Sequence, residues 1–230
     1  MQNLFFKASV SWRILVLVLA FFLLNLSYSA LAQRPFQNEI DQFKKQDQVS
    51  PPIAGQILLV GSSSFRRWTN VQGRFPGYPI LNRGFGGSTL PDVIGFAQDI
   101  IIPYHPKQVA IYCGENDLAA DSTINGKTIF KRFRTLSKII RSGLPGCPIL
   151  FVAVKPSPSR ARVLDKVIDA NARISRYCRN HKNYAFADVF TPMLGPDHKP
   201  MEDLFVGDML HMNEKGYDIW TRVIQPYLLK

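Results

Sequence analysis

Four short polar clusters in this chain hold the residue types that acyl transfer requires. They are Gly61-Ser62-Ser63-Ser64, Asn82-Arg83-Gly84-Phe85-Gly86-Gly87-Ser88, Gly114-Glu115-Asn116-Asp117 and Asp208-Met209-Leu210-His211. Serine becomes an effective nucleophile only when a neighbouring imidazole can take its proton. The imidazole in turn needs a carboxylate on its other nitrogen, to fix the tautomer and to hold the charged form. Asp208, three residues before His211, can supply that carboxylate within one tight turn. The oxyanion formed on attack needs donors aimed at it. The Ser63 N–H, a glycine N–H from the second cluster and the Asn116 side-chain amide could furnish three. Taken singly, each cluster reads as an ordinary turn or helix cap. Their order, and their placement at strand ends and helix entries, is what points to a serine-based acyl transfer. Spacing does not choose among Ser62, Ser63 and Ser64.

The elements that must position these residues are legible as alternating apolar patterns. The serine cluster follows Ile57-Leu58-Leu59-Val60, a wholly apolar run bounded by turn residues. Such a run suits a strand buried on both faces of a parallel sheet, where ligands lie beyond the carboxyl ends of the strands. Further strands are predicted at 79–82, 108–112, 149–154 and 184–189. Ile129, Phe133, Leu136 and Ile140 share one helix face, and Gly143 with Pro145 ends that helix. Val163, Val167, Ala170, Ile174 and Tyr177 mark a second helix, with Lys166, Arg173 and Arg176 on its polar side. A last helix begins at Asn213, a plausible N-cap, and carries Tyr217, Trp220, Ile224 and Leu228. Strands alternating with helices of this length predict an α/β fold, a parallel sheet with helices on both faces.

The clusters, in order and spacing, resemble the conserved blocks of the SGNH (GDSL-type) hydrolases across essentially the whole chain after its N-terminal segment. The family's first block reads Gly-Asp-Ser with the nucleophile third, which matches Ser63. Its second block gives a glycine to the oxyanion hole, best matched by Gly87. Its Gly-x-Asn-Asp block matches Gly114 to Asp117, with Asn116 as oxyanion donor, and its Asp-x-x-His block matches Asp208 and His211. The resemblance implies a three-layer α/β/α sandwich, flavodoxin-like, with a five-stranded parallel sheet. It also implies a serine esterase that needs neither metal nor cofactor. One departure is plain: Ser62 stands where the family has its aspartate.

Other residues are assigned smaller parts. Lys155 and Arg160 lie in a polar, proline-stiffened segment after the fourth strand, and Arg66 and Trp68 flank the serine turn. These four are candidate substrate contacts, suited to a sugar or an anionic group. His105, His181 and His198 share no cluster at metal-ligand spacing, so no metal site is predicted. Asp188 reads as a turn or capping residue. Cys113, Cys147 and Cys178 are too few and too far apart for a disulfide framework and read as small hydrophobes.

Lys7 and Arg13, an apolar run over 14–26 and Ala30-Leu31-Ala32 describe a secretory signal peptide over residues 1–32. Residues 33–55 then form a polar lead-in with one or two helical turns, and 56–230 the hydrolase domain. The formal charge of +11 becomes +9 once Lys7 and Arg13 leave. In an exported chain that excess suits anionic surfaces such as polysaccharide, lipid headgroups or cell wall. No nucleic-acid motif is present, and membrane contact is expected only through the signal. The expected activity is removal of short acyl groups, acetyl foremost, from small-molecule, glycan or lipid-like esters, in the periplasm or outside the cell. An O-acyltransferase with the same triad, a lysophospholipase or thioesterase, and a non-catalytic glycan-binding module are the alternatives.

Overall fold

The computed structural model describes Trp12 and residues 34–230. The expected signal segment otherwise lies outside the described residues. The lead-in is more ordered than its polar composition predicts. Residues Gln37–Val49 form a helix of 13 residues, α1, with Ile40 fully buried.

Five strands follow: β1 (Ile57–Gly61), β2 (Ile80–Gly84), β3 (Gln108–Tyr112), β4 (Ile149–Val152) and β5 (Tyr184–Ala187). All pair in parallel in the order β2-β1-β3-β4-β5. β1 and β3, at the centre, are buried at every position. That is why their sequences are apolar throughout, with no alternation. β4 and β5 are shorter than expected. The chain turns away at Asp188, whose carboxylate accepts the N–H groups of Phe190 and Thr191, both at 3.1 Å.

Alternate strand residues serve opposite faces. Ile57, Leu59, Ala110, Tyr112, Leu150 and Val152 join a core with Phe65, Trp68, Val71 and Phe75. These come from or adjoin two short helices, α2 (Ser63–Arg66) and α3 (Val71–Arg74). The C-terminal helix α9 (Glu214–Ile224) closes this layer with Tyr217, Trp220 and Ile224. It starts where predicted, with the Asn213 side chain accepting from the Gly216 N–H at 3.3 Å. On the other face lie α4 (Leu90–Gly95), α5 (Ala97–Ile100), α7 (Gly126–Gly143) and α8 (Leu164–Arg179). Phe133 of α7 meets Phe151 of β4 edge to face, with ring centroids 5.1 Å apart. The short helix α6 (Glu115–Ala120) leads out of β3. Helices thus cover both faces of the parallel sheet, the expected three-layer sandwich. The strand order reverses between β1 and β3, so the crevice for a ligand opens beyond the ends of those two strands.

Candidate active site

Ser63 is the first residue of α2, two residues beyond the β1 terminus. The turn is sharp because Gly61 adopts φ +134°, and any Cβ there would come within 1.9 Å of the Tyr112 carbonyl oxygen. Only glycine permits this close approach of β1 to β3. The three serines then separate by environment. Ser62 and Ser64 are buried at 3 % exposure each, whereas Ser63 is half-exposed. Ser62 Oγ accepts a hydrogen bond from Asn116 Nδ2 at 3.1 Å. Ser64 lies under Tyr217, whose hydroxyl donates to its carbonyl at 2.8 Å. Ser63 Oγ alone reaches an imidazole, lying 2.9 Å from His211 Nε2.

The loop before α9 brings that imidazole in. His211 Nδ1 lies 2.6 Å from Asp208 Oδ2, and Asp208 Oδ1 accepts the Leu210 and His211 N–H groups at 2.9 and 2.8 Å. Met209 between them takes φ +53°, which closes the turn so tightly that one carboxylate serves both backbone and ring. Desolvation works to raise the Asp208 pKa. It is outweighed by the backbone and side-chain hydrogen bonds from His211 and by the Leu210 N–H, which hold the carboxyl well below its usual range. Asp208 is therefore a carboxylate throughout the neutral range.

Gly87 and Asn116 face the same point. A Cβ on Gly87 would sit 3.7 Å from Asn116 Nδ2. Among the described residues the N–H groups of Ser63 and Gly87 have no acceptor, so both are free to meet a ligand. The Asn116 amide is occupied, donating to Ser62 Oγ and to the Ser88 carbonyl, both at 3.1 Å. Ser62, in the place of the expected aspartate, thus holds the amide in register beside Ser63. Asp117 turns away from the site. It is buried, accepts the Leu90 N–H at 3.0 Å and pairs with Arg132 at 2.6 Å, tying the loop after β2 to the helical layer.

Two expected substrate contacts are corrected. Trp68 is 1 % exposed and stacks on Tyr217 at a centroid distance of 5.0 Å, with Trp220 edge-on at 5.9 Å. It anchors α2 to α9, and an apolar ring of this size gains more from that core than from solvent. Lys155 is likewise 1 % exposed and carries no ligand-facing surface. Its Nζ donates to Glu115 Oε2 at 2.7 Å and to Ser157 Oγ at 2.8 Å, and Tyr112 OH reaches the same carboxylate at 2.9 Å. Burial pulls the Lys155 pKa down, with Glu115 opposing the shift. Arg160 is half-buried next to this network, in the loop whose Ser159 N–H donates to the Met209 carbonyl at 3.0 Å. Arg66 is exposed, and its Nε bonds Glu39 Oε2 at 2.9 Å.

Glu39 was invisible to sequence reasoning. The same Oε2 accepts the Gly86 N–H at 3.1 Å, so one carboxylate from α1 links α2 to the glycine loop. Nothing local in a polar lead-in signals such a role, because both partners are distant in the chain.

Residues 54–219 match the model of the GDSL-like lipase/acylhydrolase family. The chain belongs to that family. The chemistry of these acylhydrolases is ester hydrolysis. No curated protein matches the chain. Among solved structures, a GDSL-like lipase from Bacteroides thetaiotaomicron has a TM-score of 0.70 at 20 % identity, covering 82 % of this chain and 96 % of its own. A carbohydrate esterase family 3 protein from Talaromyces cellulolyticus has a TM-score of 0.60 at 15 % identity, covering 75 % of this chain and 95 % of its own. At these identities the likeness shows a common fold, that of the GDSL/SGNH hydrolases.

Proposed function

We propose that this acylhydrolase is an exported serine esterase that removes short acyl groups, acetyl foremost, from carbohydrate or lipid-like esters. The observation that carries the reading is the relay Ser63 Oγ to His211 Nε2 at 2.9 Å and His211 Nδ1 to Asp208 at 2.6 Å. His211 takes the proton as Ser63 Oγ attacks the ester carbonyl, and Asp208 stabilises the imidazolium. The oxyanion settles against the Ser63 N–H, the Gly87 N–H and one Asn116 N–H released from its present acceptor. Each such donor lowers the barrier by roughly 3–4 kcal/mol. His211 then protonates the leaving alcohol, and water, activated by the same imidazole, releases the acid. The apolar run at 14–26 and Ala30-Leu31-Ala32 support export.

A fluorophosphonate probe tests the reading directly. Mass spectrometry of the treated protein is expected to find one adduct, on the peptide bearing Ser63. Modification of Ser62 or Ser64 instead, or no adduct on an ester-inactive protein, would refute it.

The Glu39 link gives a second expectation. Glu39→Ala leaves Gly86 and Arg66 without their shared acceptor, so the glycine loop loses its register. A lost charge-assisted bond of this kind is worth about 1.5–3 kcal/mol. Part of that should appear in kcat, as a fall of about tenfold with KM little changed. Glu39→Gln keeps an acceptor for Gly86 and should retain most of the activity. Equal losses in the two variants would sink the idea.

A further inference from the structure

The positive charge of this protein is not spread over its surface. Residues 126–143 and 164–182, the α7 and α8 segments, hold eleven Lys and Arg against two Asp, a net of +9. Residues 33–230 as a whole carry +9, so the rest of that span is balanced, with fifteen basic and fifteen acidic residues. Elsewhere several cations meet acids: Arg74 is bound by Glu214 and Asp218, and Lys215 by Asp203. On α7 they do not. Lys127, Lys131, Arg134 and Lys138 are exposed and have no carboxylate partner among the described residues. Their spacing places them on one helix face over about 17 Å. Arg176 and Arg179 of α8 add to the same layer, and a groove of about 270 Å³ lined by Phe130, Tyr177 and Arg176 runs between the two helices.

We propose that the α7–α8 layer is a docking face for an anionic, carboxylated polysaccharide. The charge is the recognition element, because a row of cations without carboxylate partners, in a layer with eleven basic and two acidic residues, sets up a positive potential that a polyanion can satisfy along its length. The other polyanions fit this face less well. Anchoring on a bilayer draws on exposed apolar side chains beside the basic ones, and the only large exposed hydrophobe here among the described residues is Ile168. Single-stranded nucleic acid binds by stacking bases on open aromatic faces. The rings of this face are already engaged: Tyr177 stacks on His181 with centroids 3.8 Å apart, meets Phe130 at 5.7 Å, and lies under the Arg134 guanidinium. What remains open is charge at intervals close to the length of one sugar unit. None of these side chains takes part in the Ser63–His211–Asp208 relay, so the face is distinct from the site of chemistry.

The test measures binding of the full chain to polygalacturonate, with neutral dextran, phosphatidylglycerol vesicles and oligodeoxythymidine as comparators, across a salt series. Polygalacturonate should bind, dextran should not, and affinity should fall as salt rises. Replacing Lys131, Arg134, Lys138 and Arg176 together by Gln should weaken binding at least tenfold and flatten the salt dependence, with p-nitrophenyl acetate turnover unchanged. A matched control, Lys107, Lys199, Lys215 and Arg222 to Gln, removes the same charge from other surfaces and should bind as wild type. Equal weakening in both variants would show a net-charge effect and overturn the assignment. Tighter binding to vesicles or to the oligonucleotide would overturn the choice of partner. Ser63→Ala should bind polygalacturonate like wild type, which keeps this outcome separate from any failure of the esterase reading.

Discussion

On the proposed reading, Ser63→Ala is expected to lower turnover of p-nitrophenyl acetate by at least about a thousandfold, judged from the deletion of triad members in serine hydrolases. The residual rate would come from the oxyanion donors and from binding alone. The loss should be almost purely catalytic. Ser63 is half-exposed, and the partner of its hydroxyl is His211 Nε2. Thermal stability should therefore stay within a few degrees of wild type. The neighbouring serines make internal controls. Ser62→Ala deletes the acceptor of the Asn116 amide, a neutral hydrogen bond worth about 1 kcal/mol, so a several-fold fall is expected. Ser64→Ala alters a buried position away from the imidazole and should change stability more than rate. Full activity in Ser63→Ala, with loss in either neighbour, would move the nucleophile.

The second large effect is structural and lies directly beneath the site. Lys155→Met should destabilise the fold by about 3–5 kcal/mol, because it leaves the Glu115 carboxylate buried without its counter-charge. For a domain of this size that lowers Tm by roughly 10 °C. Glu115 would retain Tyr112 OH and Ser157 Oγ, which are hydrogen-bond donors but not cations. Adding Glu115→Gln removes the stranded charge and keeps an acceptor for Tyr112. The double variant should then recover more than half of the lost stability. A single variant as stable as wild type would mean that the pair is not needed to hold the chain ends of β3 and β4 together.

The two predictions also separate what can be read along the chain from what cannot. The apolar runs of β1 and β3, the stripes on α7 and α8, the Asn213 cap and the Asp208-to-His211 turn were all legible. Each is governed by interactions within a few residues or by the period of one element. The fold class follows from the alternation of those elements. The full length of α1 was not legible, because a polar helix of 13 residues is held by tertiary partners and not by its own propensity.

The amino-acid sequence by itself determined the strands, the helices and the polar clusters at their ends, since local backbone preference and hydrophobic period decide those. The tertiary structure decided which of three adjacent serines faces His211, a residue 148 positions away. It decided that Trp68 and Lys155 belong to the interior, that Glu39 spans two loops, and that the unpaired cations share one layer. Such outcomes depend on which faces are buried when the layers close. Burial is a property of the packed whole, and no single stretch of sequence carries it.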